Sequence, residues 1–172
     1  TAVVMTGHGM AGQAATGRGK HRAVGGPSLT RLVRNKPVEP GVRRALIVTP
    51  ARELALQIYE DALVVAGATE MRLALVIGGI EYKEQAELLT SGPEIVICTP
   101  GRIIDYLQQG IFKTKVIELA VVDEADRLLD MGFIKDLQLL LGKLPSFDQR
   151  QTMLFSATLD ERVMELTYQY MN

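Results

Sequence analysis

A single cysteine stands in this chain of 172 residues, and charge of either sign is nearly balanced, with 19 Lys and Arg against 20 Asp and Glu. One thiol excludes disulfides within the chain. Cys98 ends an apolar run from Glu94, which marks a buried core thiol rather than a nucleophile. The net charge of −1 excludes a strongly basic footprint over the whole domain, although a local groove of Arg and Lys can still hold phosphates. No apolar run is long enough to cross a bilayer, and Thr1 to Met10 has neither the basic start nor the long apolar stretch of a secretion signal. The expectation is a soluble protein in a reducing, cytoplasmic setting, with no membrane partner. Internal repeats are lacking too. The one Pro/Gly-rich polar stretch, Asn35 to Arg43, is short enough to be a surface loop rather than a domain boundary. With 47% hydrophobic residues, the chain suffices for one well-buried core and is too short for two ordinary ones.

What is present alternates. Short apolar, often β-branched runs at Met10 to Gln13, Ala45 to Val48, Leu73 to Ile77, Ile95 to Cys98, Leu119 to Val122 and Thr152 to Phe155 predict buried strands. Longer segments between them carry helical spacing: Leu54, Ile58, Ala62 and Val65; Ile134, Leu137, Leu141 and Leu144; Val163, Leu166 and Tyr170. Parallel strands need crossovers, and crossovers are usually helices, so the expected fold class is α/β, a parallel sheet with helices on both faces. Ligands of such sheets bind beyond the carboxyl ends of the strands. The residues at those ends are chemically rich: 14–20, Thr49 to Glu53, Gly78-Gly79, Thr99 to Arg102, Asp123 to Asp126 and Ser156 to Thr158. All six clusters are expected on one edge.

In Thr16-Gly17-Arg18-Gly19-Lys20, glycines let backbone N–H groups turn inward around phosphate oxygens, and a lysine can reach the terminal phosphates. By itself such a loop is as readily an ordinary surface turn. Ala14 takes the place of a usual first glycine, and His21 stands where a Ser or Thr hydroxyl would ligate Mg²⁺. A neutral imidazole is a poor ligand for that hard, oxygen-seeking ion. Gly25-Gly26-Pro27 weakens the helix expected next, by about 1 kcal/mol per glycine relative to alanine. Asp123-Glu124-Ala125-Asp126 follows an apolar strand, so one carboxylate can hold a hydrated Mg²⁺ while another orients water for attack on phosphorus. Alternatively these acids cap a helix around Arg127 to Leu129.

Taken in order, Gly17-Arg18-Gly19-Lys20, Pro50 to Ala55, Gly78-Gly79, Thr99-Pro100-Gly101-Arg102, Asp123-Glu124-Ala125-Asp126 and Ser156-Ala157-Thr158 resemble the signatures of DEAD-box RNA helicases, from about Gly7 onward. The resemblance implies a RecA-like P-loop NTPase domain, a single unit over 1–172, shortened at its N-terminus and lacking the family's second RecA-like domain. It implies ATP and Mg²⁺ as cofactors. Ala15, Thr16, Gly17, Arg18, Gly19, Lys20 and His21 would form the nucleotide loop; Asp123 would hold the metal through water and Glu124 would position the hydrolytic water. Arg52, Gly79, Thr99, Pro100, Gly101 and Arg102 would grip the RNA backbone independently of sequence. Asp126, Ser156 and Thr158 would link the nucleotide and RNA sites. Gly132 to Asp136 and Met153 to Asn172 look most like the bacterial branch that partners a ribonuclease in RNA decay.

This chain departs from the family at His21 and at Ala51, where a threonine is expected to contact RNA; both changes remove a hydroxyl. No adenine-reading glutamine motif is recognisable before Met10. A competing reading follows from these losses: a nucleotide-impaired RNA-binding or scaffold module of the same fold. A P-loop ATPase unrelated to nucleic acid would leave Thr99 to Arg102 and Ser156 to Thr158 unexplained.

Overall fold

A computed structural model describes residues 10–13, 45–67 and 71–171. The elements in chain order are β1 (Met10–Gln13), β2 (Ala45–Val48), α1 (Arg52–Ala66), β3 (Leu73–Val76), α2 (Tyr82–Thr90), β4 (Ile95–Cys98), α3 (Pro100–Gln108), β5 (Leu119–Val122), α4 (Ala125–Asp130), α5 (Ile134–Lys143), β6 (Gln151–Ser156) and α6 (Glu161–Tyr170). The six strands form one sheet in the order β1-β6-β5-β2-β4-β3, and every neighbouring pair is parallel. The expected strands are thus all present, with β3 ending one residue earlier than its apolar run and β6 one residue longer at each end. The predicted loop at Asn35 to Arg43 lies outside the described residues.

Why these runs became strands is visible in their burial. All four residues of β2, β4 and β5 are buried, as expected where both faces of a parallel sheet are covered. Alternate residues divide between two cores. Leu46, Val48, Ala74, Val76, Val96, Cys98, Ala120, Val122 and Leu154 face one side with α2 to α6. Ala45, Ile47, Leu73, Ile95, Ile97, Leu119, Val121, Met153 and Phe155 face the other, where α1 packs Leu54, Ala55, Ile58 and Ala62. Each fully buried Ile or Leu here stabilises the fold by about 1.5–3 kcal/mol relative to exposure. Cys98 is buried, as its sequence context predicts, and burial pushes its thiol pKa far up.

One buried charge fastens the C-terminal part. Arg150, just before β6, is 7% exposed, and its guanidinium donates to Thr152 Oγ1 and Tyr170 O, both at 2.9 Å, and to Pro145 O. The Tyr170 carbonyl closes α6, where the helix dipole favours a cation. Burial lowers the Arg150 pKa, but a guanidinium stays charged.

Candidate functional site

Five of the six predicted clusters lie at the carboxyl edge of the sheet, because parallel register brings the strand ends level. Val48 is opposite Cys98 on one side and Val122 on the other, Val76 is opposite Cys98, and Val122 is opposite Leu154. Gln13 is in register with Ser156, so the chain leaves β1 at this same edge. The expected nucleotide loop that follows, Ala15, Thr16, Gly17, Arg18, Gly19, Lys20 and His21 with Ala14 before it, lies outside the described residues.

Asp123 is fully buried at the end of β5. Its amide donates to Val48 O at 2.8 Å, and its Oδ1 accepts the Glu124 N–H at 2.9 Å. Glu124 has φ 51° and ψ 50°, the only non-glycine residue with positive φ among those described. A left-handed conformation costs an L-residue about 1–2 kcal/mol, and such cost concentrates where function needs a particular side-chain direction. The conformation also decides against simple helix capping: Glu124 is the N-cap of α4 but makes no side-chain cap bond. Its Oε2 instead lies 3.3 Å from Arg127 Nη1. Just after neighbouring β2, the Thr49 hydroxyl is buried without a hydrogen-bond partner among the described residues.

Asp126 is joined to the next strand. Its N–H donates to Ser156 Oγ at 3.1 Å, and Thr158 Oγ1 donates to its Oδ2 at 3.4 Å. Burial pushes the Asp126 pKa up, but hydrogen bonds from Ser156 and from the amides of Arg127, Ala157 and Thr158 outweigh it and leave it below the usual carboxylate value. The predicted trio of Asp126, Ser156 and Thr158 is therefore one bonded unit.

On the other half of the edge, two helix N-termini meet the clusters after β2 and β4. Helix α1 starts at Arg52 with Ala51 as N-cap, and α3 starts at Pro100 with Thr99 as N-cap; neither cap makes a side-chain bond. The first-turn N–H groups of both helices, with their positive dipole ends, are suited to anions. Gly79 has φ +81°, and a Cβ placed on it would lie 2.7–2.9 Å from the guanidinium of Arg52. A side chain at position 79 would displace the Arg52 guanidinium from its place against this turn. Open space stands over Gly101. Arg102 donates to Ile80 O at 3.2 Å and sits 5.4 Å from the centre of the Tyr82 ring.

Tyr82, Gln85 and Tyr106 support this half and were not among the predicted residues. Tyr106 Oη donates to Tyr82 O at 2.6 Å, and the two rings lie 4.6 Å apart. Gln85 binds both backbone groups of Ile77. Nothing in their spacing distinguishes them from surface helix residues. Among the described residues no group of three His, Cys, Asp or Glu side chains could hold a metal. No described helix is long and apolar enough to cross a membrane.

A sequence model of the family described as DEAD/DEAH box helicase matches residues 1–166. Among similar proteins are an ATP-dependent RNA helicase RhlB of Xanthomonas oryzae pv. oryzae, 47% identical over 99% of this chain and 30% of its own length, and one of Proteus mirabilis, 44% identical over 99% and 40%. The chain thus spans well under half of these relatives. Among solved structures, the yeast DEAD-box splicing factor Prp28 matches with a TM-score of 0.86 and 30% identity over 96% of this chain and 40% of that one. A DEAD box protein from Methanococcus jannaschii matches with a TM-score of 0.85 and 32% identity over 96% and 43%.

Proposed function

Because this chain belongs to the DEAD/DEAH box helicase family, we propose that it is the first RecA-like motor domain of an ATP-dependent RNA helicase, acting with a second RecA-like domain across a shared cleft. The observation that carries this reading is the bonded unit of Asp126, Ser156 and Thr158, which ties the end of β6 to the acidic cluster after β5 on the same sheet edge that carries Arg52, Gly79 and Arg102. It fixes the acidic cluster to the strand that pairs with β1, after which the expected nucleotide loop follows in sequence.

The described residues fit ATP with Mg²⁺ as the cofactor: Asp123 offers a hard carboxylate at the strand end, and Mg²⁺ commonly takes one or two carboxylates and completes its shell with water and phosphate oxygens. Bound Mg-ATP would supply the phosphoryl group that is hydrolysed. Asp123 would hold the metal through its water shell, and Glu124 would orient and deprotonate the attacking water. Lys20 and the amides of Gly17 and Gly19 would bind its phosphates. Arg52, Arg102 and the N-termini of α1 and α3 hold RNA phosphates through charge-assisted bonds, which position the strand without reading bases. RNA is then the substrate, gripped independently of sequence. Closure of the second domain completes the site, and reopening after hydrolysis releases the bent strand. The likeness of Gly132 to Asp136 to one bacterial branch supports a ribonuclease of an RNA-decay complex as partner, in the cytoplasm.

The test is ATP turnover by the full-length protein with and without single-stranded RNA. Turnover that rises with RNA and collapses in Glu124→Gln is expected. Turnover indifferent to RNA sinks the helicase reading, and absence of nucleotide binding with RNA binding intact moves it to the scaffold alternative.

A further inference from the structure

Helix α2 is polar along most of its length, YKEQAELLT, and within it only Gln85 and Leu89 are buried. Leu89 serves the core. Gln85, 3% exposed, turns its carboxamide to the end of β3 instead. Its Oε1 accepts the Ile77 N–H at 3.1 Å, and its Nε2 donates to Ile77 O at 2.9 Å. Those are the two bonds that a neighbouring strand would make to this residue. Among the described residues strand β3 is the sheet's edge, with β4 on one side only, so the carboxamide makes the bonds of a neighbouring strand just where the chain leaves it. The next two residues are Gly78 and Gly79, and Gly79 at φ +81° carries the Arg52 guanidinium. A glycine pair is the most conformationally free step a chain can take. Something must fix its base if Arg52 is to have a fixed floor.

We propose that Gln85 is a positioning residue for the RNA grip: by clamping the Ile77 backbone it sets the Gly78–Gly79 turn, and through Gly79 the direction of the Arg52 guanidinium. It touches no RNA itself. The inference rests on the RNA-grip reading of Arg52 and Gly79 and names the residue that organises it. Burial of Gln85 makes both Ile77 bonds hard to replace, since an unmet buried donor or acceptor costs more than a met one contributes.

The experiment uses the full-length protein carrying Gln85→Met, of similar length and without hydrogen-bonding groups. The readouts are the RNA concentration for half-maximal stimulation of ATPase, the KM for ATP, kcat at saturating RNA, and Tm. RNA half-saturation is expected to rise roughly 10-fold, while the ATP KM and saturated kcat stay within about twofold. Adding Gln85→Met to Arg52→Ala should weaken RNA use little beyond Arg52→Ala alone, since residues acting through one contact are not additive. An effect on RNA that adds fully to that of Arg52→Ala, or that tracks a general loss of Tm, ATP use and kcat, overturns the proposal. If Gln85→Met does not fold, Gln85→Glu, which keeps the shape and the acceptor for Ile77 N–H, is measured by the same criteria. Should Arg52→Ala leave RNA half-saturation unchanged, the RNA-grip reading itself fails and this proposal with it. Should Arg52→Ala weaken RNA use and the Gln85 variants not, only the role of Gln85 falls.

Discussion

Ser156, the last residue of β6, accepts the amide of Asp126, 30 residues earlier, at 3.1 Å, so the acidic cluster and the strand beside it share one hydrogen-bonded joint. Removing the hydroxyl by Ser156→Ala leaves a part-buried amide unmet and should cost about 1–2 kcal/mol of stability. It should also let the Asp126 pKa rise, because Ser156 is the chief bond holding it down against burial. The sign follows from linkage. A carboxylate with a depressed folded pKa adds stability above its unfolded pKa of about 3.9 and loses it as pH falls through the lower, folded value. Thermal melts across the acid range should show the variant losing less stability on acidification than the parent. Equal slopes would mean that the joint does not govern Asp126. In the full-length protein, coupling should suffer most, with RNA-stimulated turnover falling while ATP and RNA each still bind.

Glu124 separates stability from activity. Its φ of 51° is costly for every residue but glycine, so Glu124→Gly should remove strain and raise stability by up to about 1 kcal/mol, a Tm increase of roughly 2–4 °C for a domain of this size. The same change deletes the proposed base, and hydrolysis should fall by about 10²–10⁴. Glu124→Gln should show the second effect without the first. Calorimetric melting beside single-turnover hydrolysis checks both, and a Glu124→Gly protein that keeps its rate would remove Glu124 from the chemistry.

How far this was legible in the sequence depended on burial. Strands β2, β4 and β5 are read as continuous apolar runs because both faces of the sheet are covered, and their ends located the clusters correctly. Helix α2 has no apolar stripe to read, since one of its two buried residues is Gln85. Helix α3 begins inside Thr99 to Arg102, where Pro100 and Gly101 look like a turn; Pro at the first helical position is in fact favourable. The residue types at Asp123, Asp126, Ser156 and Thr158 were visible, but the left-handed turn at Glu124 was not, because Glu has no preference for it. Tyr82 and Gln85 act through ring contacts and backbone bonds whose partners are set by the fold.

Ala51 begins α1 with φ −110° and ψ 137° and no side-chain cap. That backbone is the one an N-cap threonine adopts, and replacing alanine by such a residue stabilises helices by about 1 kcal/mol. Ala51→Thr should therefore raise Tm, and it should lower the RNA concentration needed for half-maximal ATPase, because the new hydroxyl stands beside Arg52 at the proposed strand grip. Urea unfolding and RNA titration measure the two effects. A stability gain with no change in RNA use would confine position 51 to capping.

His21 is the sharpest chemical question, since a hydroxyl is expected there beside Mg²⁺ and an imidazole is the wrong donor for a hard octahedral ion. Calorimetric titration with ADP and ATP, with and without Mg²⁺, should show the parent binding nucleotide with weak metal dependence. His21→Thr should tighten binding only when Mg²⁺ is present, by about 10–100-fold, the usual range for restoring a group that supports a metal. Improvement without Mg²⁺ would point to relief of crowding rather than metal ligation. Equal, metal-dependent binding by both proteins would mean that Asp123 and the phosphates suffice to hold the ion, and that the imidazole is simply accommodated.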